Sequence, residues 1–325
     1  MKLDEAKPMK ALVGVDIGGT NTVIGIFDET RTLLKKTVIP TLKPHFPGTT
    51  DRPDSFCDAL AEAIHALARE AGFTDGVAIV GMGVPGWVDP VLGRAEGASN
   101  LGWRGVPFAE QMSRRLGVPV HIDNDVRIYA LGEMQAGAGR GYKNALCITI
   151  GTGIAVAIVA DGRLVRGASF YAGEIGHDAV EGQDGACNCG RRGCVESIVS
   201  ATGIARLARE ALETNGESTS LSRLNRTPTA QDVYTAAMAG DAVAGRIFRL
   251  AGEVLSAKVL TAVTLLNPEA VIIGGGVAEA GDLLLGPIRE RIQARYTFEK
   301  KPAILKAALG DSAGLIGAVS YAASY

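Results

Sequence analysis

Ala11-Leu-Val-Gly-Val-Asp16-Ile-Gly-Gly-Thr-Asn21-Thr-Val23-Ile-Gly-Ile-Phe27 is the stretch on which the fold turns. An apolar run from Ala11 to Asp16 enters a glycine turn and leaves through Val23 to Phe27, which predicts a β-hairpin with a Gly-rich turn. The same order returns in the second half: Ala145 to Ile150 as strand, Gly151-Thr152-Gly153 as turn, Ile154 to Ala160 as return strand. This is an internal repeat of architecture, not of sequence.

Between and beyond these hairpins the chain alternates helices and strands. Phe56, Leu60, Ile64 and Leu67 put one apolar face on a helix from Asp54 to Ala71. Val77 to Val84 reads as a buried strand ending at Pro85-Gly86, and Val118 to Ile122 as a strand that delivers Asp123-Asn124-Asp125. A helix is expected from about Val126 to Ala138, and a long one from about Asp241 to Leu266. The strand Ala270 to Ile273 then reaches Gly274-Gly275-Gly276. No linker or low-complexity tract separates the halves.

Bulk properties narrow the function. With 325 residues the chain suits two domains, and a net charge of −2 without basic clusters advertises neither a nucleic-acid nor an anionic-membrane partner. Met1 to Lys10 lacks an apolar signal core, and no apolar run approaches the roughly 20 residues of a membrane span. A cytoplasmic enzyme is expected.

Two glycines after Asp16 let backbone N–H groups approach phosphate oxygens, Thr20 adds a hydroxyl, and Asp16 can face a Mg²⁺ that bridges the phosphates. Gly151-Thr152-Gly153 offers the same chemistry, and Gly274 to Gly276 suits an adenosine lying against backbone. Any one of these is equally a tight hairpin; the three in this order point to a nucleotide. A dinucleotide-binding turn fits poorly, because the first glycine turn leads into a strand.

Cys187-Asn-Cys189-Gly-Arg-Arg-Gly-Cys194 gathers three thiols, and His177 stands ten positions earlier. Three thiolates and one imidazole complete a closed tetrahedral set for a structural Zn²⁺. Cys57 and Cys147 fall in apolar-periodic elements and read as core. Asp125 stands at a strand's end with Asn124 beside it, as a general base for phosphoryl transfer needs, although capping of the following helix accounts for the pair equally well. Asp123, one place earlier on the strand, should face elsewhere. Glu174 and Glu196 bracket the cysteine segment and can accept sugar hydroxyls if zinc aims them; ordinary surface charge is the other reading, more so for Glu196. One nitrogen of His177 would bind zinc and leave the other for a hydroxyl. His45 and His121 read as structural, His65 as solvated.

Gly173-Glu-Ile-Gly-His177, followed by Cys187-x-Cys189-Gly-x-x-Gly-Cys194-x-Glu196, resembles the ROK family (repressors, open reading frames and sugar kinases) of the actin-like ATPase and hexokinase superfamily. The resemblance extends from about Met9 over nearly the whole chain. It implies an α/β fold of two actin-like (ribonuclease H-like) lobes with an interlobe cleft. The small lobe would span 9–122, completed by a C-terminal helix at 311–325, and the large lobe 123–310. It makes Asp125 the base that deprotonates the sugar 6-hydroxyl. Asn100, Asn124, Glu174, His177 and Glu196 would contact the sugar, and Gly83, Pro85 and Gly86 would wall the pocket. Asp16, Gly18, Gly19, Thr20, Asn21, Gly151, Thr152 and Gly153 would handle Mg²⁺ and the phosphates of ATP, with Gly275 and Gly276 on the adenosine side. A homodimer or homotetramer is implied as well.

Two positions depart from the family pattern: Asn21 stands where many relatives have Lys, and Val126-Arg127 replaces a common Ala-Asn pair. The expected reaction is ATP-dependent phosphorylation of glucose at O6. N-acetylglucosamine, N-acetylmannosamine, allose and fructose are alternative acceptors. A sugar-responsive repressor needs a helix-turn-helix ahead of the first strand, where about ten residues without basic helical patterning stand. A catalytically dead sugar binder is disfavoured by the presence of Asp16, Asp125 and the turns.

Overall fold

The structure, a computed structural model, describes residues 10–41, 54–98, 101–214 and 218–325. Asn100 and His45 lie outside the described residues. The chain forms two compact units: 1–140 with 167–171 and 308–325, and 141–166 with 172–307.

The first unit opens with the expected hairpin, β1 (Ala11–Ile17) and β2 (Asn21–Phe27), and adds β3 (Leu33–Pro40). Helix α1 (Asp54–Glu70) buries Phe56, Leu60, Ile64 and Leu67, the stripe read from the sequence. Next come β4 (Val77–Val84), the small sheet of β5 (Trp87–Asp89), β6 (Arg94–Ala98) and β7 (Trp103–Val106), and helix α2 (Phe108–Leu116). Strand β8 (Val120–Asn124) runs straight into α3 (Asp125–Ala136). The strand thus sits two residues later than the apolar run placed it, so Asn124 ends the strand and caps the helix.

The second unit repeats the plan. It contains β9 (Ala145–Ile150), β10 (Ile154–Ala160), β11 (Arg163–Val165) and the helices α4 (Glu196–Val199), α5 (Ala201–Thr214) and α6 (Ala230–Met238). The 25-residue α7 (Ala242–Leu266) follows, capped by Asp241 and closed by Asn267 in the left-handed region. Then come β12 (Ala270–Gly274), α8 (Asp282–Arg295) and β13 (Ala303–Lys306). The last helix, α9 (Ser312–Ala322), belongs to the first unit.

The main sheets run β3-β2-β1-β4-β8 and β11-β10-β9-β12-β13. Each is an antiparallel three-strand meander extended by two parallel strands, the paired ribonuclease H-like arrangement that the resemblance implies. Helix α9 lies directly on β1 and β4. A Cβ at Gly14 would collide with the carbonyl of Leu315, and one at Gly81 with that of Ala318. That intimacy explains why the first unit keeps α3 as well, which packs along α9. The unit therefore runs to Arg140 and not to residue 122. Among the described residues no helix is long and apolar enough to cross a membrane.

Candidate active site

In the first unit, Asp16 lies on β1 opposite Gly83 of β4. A Cβ at Gly83 would stand 3.3 Å from the Cα of Asp125 and 3.5 Å from Oδ1 of Asp16. The bare backbone at Gly83 therefore brings Asp16 and Asp125 together. Asn124 caps α3, its Oδ1 accepting the N–H groups of Val126 and Arg127 at 3.1 and 3.2 Å. Its Nδ2 donates to Oδ1 of Asp125 at 2.8 Å and to the Gly86 carbonyl at 2.9 Å. Capping and positioning of a carboxylate, two competing readings of this pair, are thus done by one side chain.

Burial, and then the Asp16 carboxylate, push Asp125 up to about 7. Burial, and then Asp311, push Asp16 up to about 6. A base with its pKa near neutrality can accept a hydroxyl proton at working pH. The Asp16 turn is closed by the Gly18 N–H on the Asn21 carbonyl at 2.9 Å and by Thr41, whose hydroxyl donates to the Gly18 carbonyl at 2.8 Å. Gly19 and Thr20 form the tip, and Asn21 is exposed at the start of β2. Pro85 lies buried between Gly83 and Gly86.

Asp123 does face elsewhere: fully buried, it pairs with Arg127 at 2.6 Å. The significance of Arg127 was visible only as a departure from a family pattern. Asp311, beside Asp16, carried no sequence signal.

In the second unit, the ligand atoms of His177, Cys187, Cys189 and Cys194 all lie within 4.8 Å of one another. Nδ1 of His177 is 3.7 Å from the Cys187 sulfur, and the Cys189 and Cys194 sulfurs are 3.8 Å apart. A tetrahedral Zn–S bond of about 2.3 Å gives an edge of about 3.8 Å, so the cluster has the dimensions of a zinc site. The Arg191 N–H draws the Cys189 thiol down to about 6, whereas burial pushes the Cys187 and Cys194 thiols up. The His177 ring turns its other nitrogen, Nε2, toward Glu174 at 3.8 Å. Glu174 itself is exposed.

Glu196 is not surface charge. It is 8% exposed, and its Oε2 accepts the Ile154 N–H at 3.2 Å while Oε1 receives the Cys187 thiol at 3.2 Å. A Cβ at Gly153 would stand 2.5 Å from that carboxylate, so the glycine in the turn makes room for the acid. The Gly151 N–H closes the turn on the Gly153 carbonyl at 2.9 Å.

Beside this turn lies a pocket of about 270 Å³ lined by Gly151, Thr152, Gly276, Gln231, Tyr234 and Glu279, among others. Gly275, at φ 84°, packs against the backbone of Ile150, which brings the second and third glycine turns to the same pocket. Gln231 and Tyr234 were missed. The capping box of Thr229 and Asp232 that starts α6 is legible in the sequence, but nothing there aims the helix at a pocket.

The family profile described as "ROK family" matches residues 12–324. The chain is 38% identical to a glucokinase of Halalkalibacterium halodurans, over 94% of this chain and 92% of that one. The crystal structure of a ROK hexokinase from Thermus thermophilus matches with a TM-score of 0.80 at 31% identity, covering 97% of this chain and 98% of that one. A ROK family glucokinase from Streptomyces griseus, crystallised with glucose and AMPPNP, matches with a TM-score of 0.77 at 32% identity, covering 97% and 100%. These matches run through both units: the chain belongs to the ROK family.

Proposed function

We infer that the chain transfers the γ-phosphoryl group of ATP to O6 of a hexose, with glucose the preferred acceptor. One observation carries the reading: Asp125, raised to about 7 and oriented by Asn124 at the end of β8, has the geometry and proton affinity of a base for a sugar hydroxyl. Likeness to glucokinases over almost the full length supports glucose as the acceptor and ATP as the donor.

Asn124 and the stretch Gly83, Pro85 and Gly86 then hold the sugar on the side of the base, with Asn100 assigned there by resemblance. Glu174, His177 through Nε2, and Glu196 accept or share its hydroxyls. The turns at Gly18, Gly19 and Thr20, with Asn21 beside them, and at Gly151, Thr152 and Gly153 present N–H groups to the phosphates, and Gly275 and Gly276 border the adenosine. A Mg²⁺ held at Asp16 supplies neutralising charge for the phosphates.

The cysteine cluster fits Zn²⁺ in donor type and spacing, and Zn²⁺ there is structural. Its effect on Glu196 follows from the protonation of Cys187: a thiolate bound to metal has no proton to give, so Oε1 is released to accept a hydroxyl from the sugar. Clustered reduced thiols suit a cytoplasmic setting. A homodimer or homotetramer completes the reading; light scattering decides it.

The test is a coupled ADP-release assay over a panel of hexoses and N-acetylhexosamines. Turnover with glucose above the others is the expected result. Preference for an N-acetylhexosamine would replace the acceptor, and absence of turnover with every sugar would overturn the reading.

A further inference from the structure

Arg127 has no part in the reading above, yet it is only 4% exposed and every nitrogen of its guanidinium is engaged. Nε donates to Oδ1 of Asp123 at 2.6 Å, Nη1 to the Phe170 carbonyl at 2.9 Å, and Nη2 to the Val88 carbonyl at 3.2 Å. The three acceptors lie on three separate stretches: the end of β8, strand β5, and the segment Gly167–Tyr171. That segment belongs to the first unit although residues 141–166 and 172–307 do not. Balancing the charge of Asp123 needs only one cation. Reaching three acceptors in diverging directions needs the planar guanidinium fork.

The backbone at Phe170 is left-handed, at φ 64°, a conformation that costs a non-glycine residue free energy and persists only when its surroundings hold it. The Arg127 bond to the Phe170 carbonyl is one such hold. Trp87 supplies another: its Nε1 donates to the Ser169 carbonyl at 3.1 Å, and its ring lies 4.7 Å from that of Tyr171. Trp87 directly follows Gly86, whose carbonyl takes the Asn124 amide, and the backbone N–H of Arg127 itself donates to Asn124. The side chain of an asparagine, common here in the family pattern, is too short to reach all three acceptors.

We propose that Arg127 is a positioning residue for the sugar. Its guanidinium clamps β5, the 167–171 segment and the Asp123-Asn124-Asp125 turn into one body. Asn124 and the Gly83–Gly86 wall thereby stay fixed against the hexose. The effect on sugar rests on the hexose-kinase reading; the clamp does not.

Two variants test it. Arg127→Lys keeps a cation opposite Asp123 but cannot serve three acceptors, and the double variant Asp123→Asn/Arg127→Gln removes both buried charges at once. In each, the KM for glucose rises about tenfold or more, the KM for ATP stays within about twofold, and kcat falls by less than KM rises. Acrylamide quenching gives a second reading. The chain has two tryptophans, and Trp103 is buried, so quenching reports on Trp87, which becomes more accessible once the segment is released. Should the lysine variant not fold, the double variant decides by the same readings.

Arg127→Lys with unchanged glucose KM and unchanged quenching would mean that charge balance alone is required, and would overturn the clamp. A wild-type protein that phosphorylates no hexose defeats the kinase reading instead, and quenching of the variants still decides the clamp.

Discussion

The Cys187 thiol donates to the Glu196 carboxylate at 3.2 Å, joining the cysteine–histidine cluster to an acid whose second oxygen holds the Ile154 N–H. The cluster and the Gly151–Gly153 turn thus meet at a single side chain, so a change in the protonation of Cys187 is felt first at Glu196.

Purified protein is expected to carry one zinc ion per chain, read by metal analysis. Chelation, or Cys189→Ser, lowers metal content, melting temperature and glucose affinity together. Metal-free protein with full stability and affinity would refute the zinc assignment.

On the proposed mechanism, Asp125→Ala removes the base and leaves Asn124 and the Gly83–Gly86 stretch in place. The expected loss in kcat is at least about 10²-fold, with glucose binding retained in calorimetry. Near-normal turnover would remove Asp125 from the chemistry.

The raised proton affinity of Asp125 has a definite sign. The base works only when deprotonated, so kcat/KM for glucose falls as pH drops through about 7 and levels off above it. A cation held at Asp16 would cancel the carboxylate that helps raise Asp125, so the limb of kcat with Mg²⁺ and ATP saturating is expected at lower pH. A flat profile between pH 5 and 8, at roughly constant stability, would contradict the assignment.

Asp123→Ala leaves the Arg127 guanidinium buried without its anion. Removing one partner of a buried pair typically costs about 3–5 kcal/mol, and both side chains here are at most 5% exposed. Urea unfolding should show a loss in that range; a loss below about 1 kcal/mol, the scale of an exposed ion pair, would mean that water reaches the pair in solution.

The hairpins, the long helix and the cysteine cluster were legible because each rests on local order: alternation, a helical stripe, ligand spacing. The strand before Asp125 was misplaced by two residues because its apolar run ends before its hydrogen bonding does, Asn124 still pairing with Val84. In the sequence, surface charge stays open as the second reading of Glu196 for a different reason. Its burial depends on the thiol of Cys187 and the turn at Gly153, 43 residues earlier, and no window of sequence contains both. The reach of Arg127 was equally hidden, since its acceptors are backbone carbonyls at Val88 and Phe170 that any residue would offer. Motifs announce side chains, and they are silent about which backbone atoms those side chains will meet.

Helix α9 rests on Gly14 and Gly81, in strands laid down near the start of the chain. On the ribosome, the sheet that carries Asp16 therefore stays uncovered until residues 308–325 emerge, whereas residues 141–166 and 172–307 need nothing made later. Completion of the unit that holds Asp125 thus awaits its last helix, and until that helix emerges the faces of β1 and β4 that it covers stay exposed to chaperones.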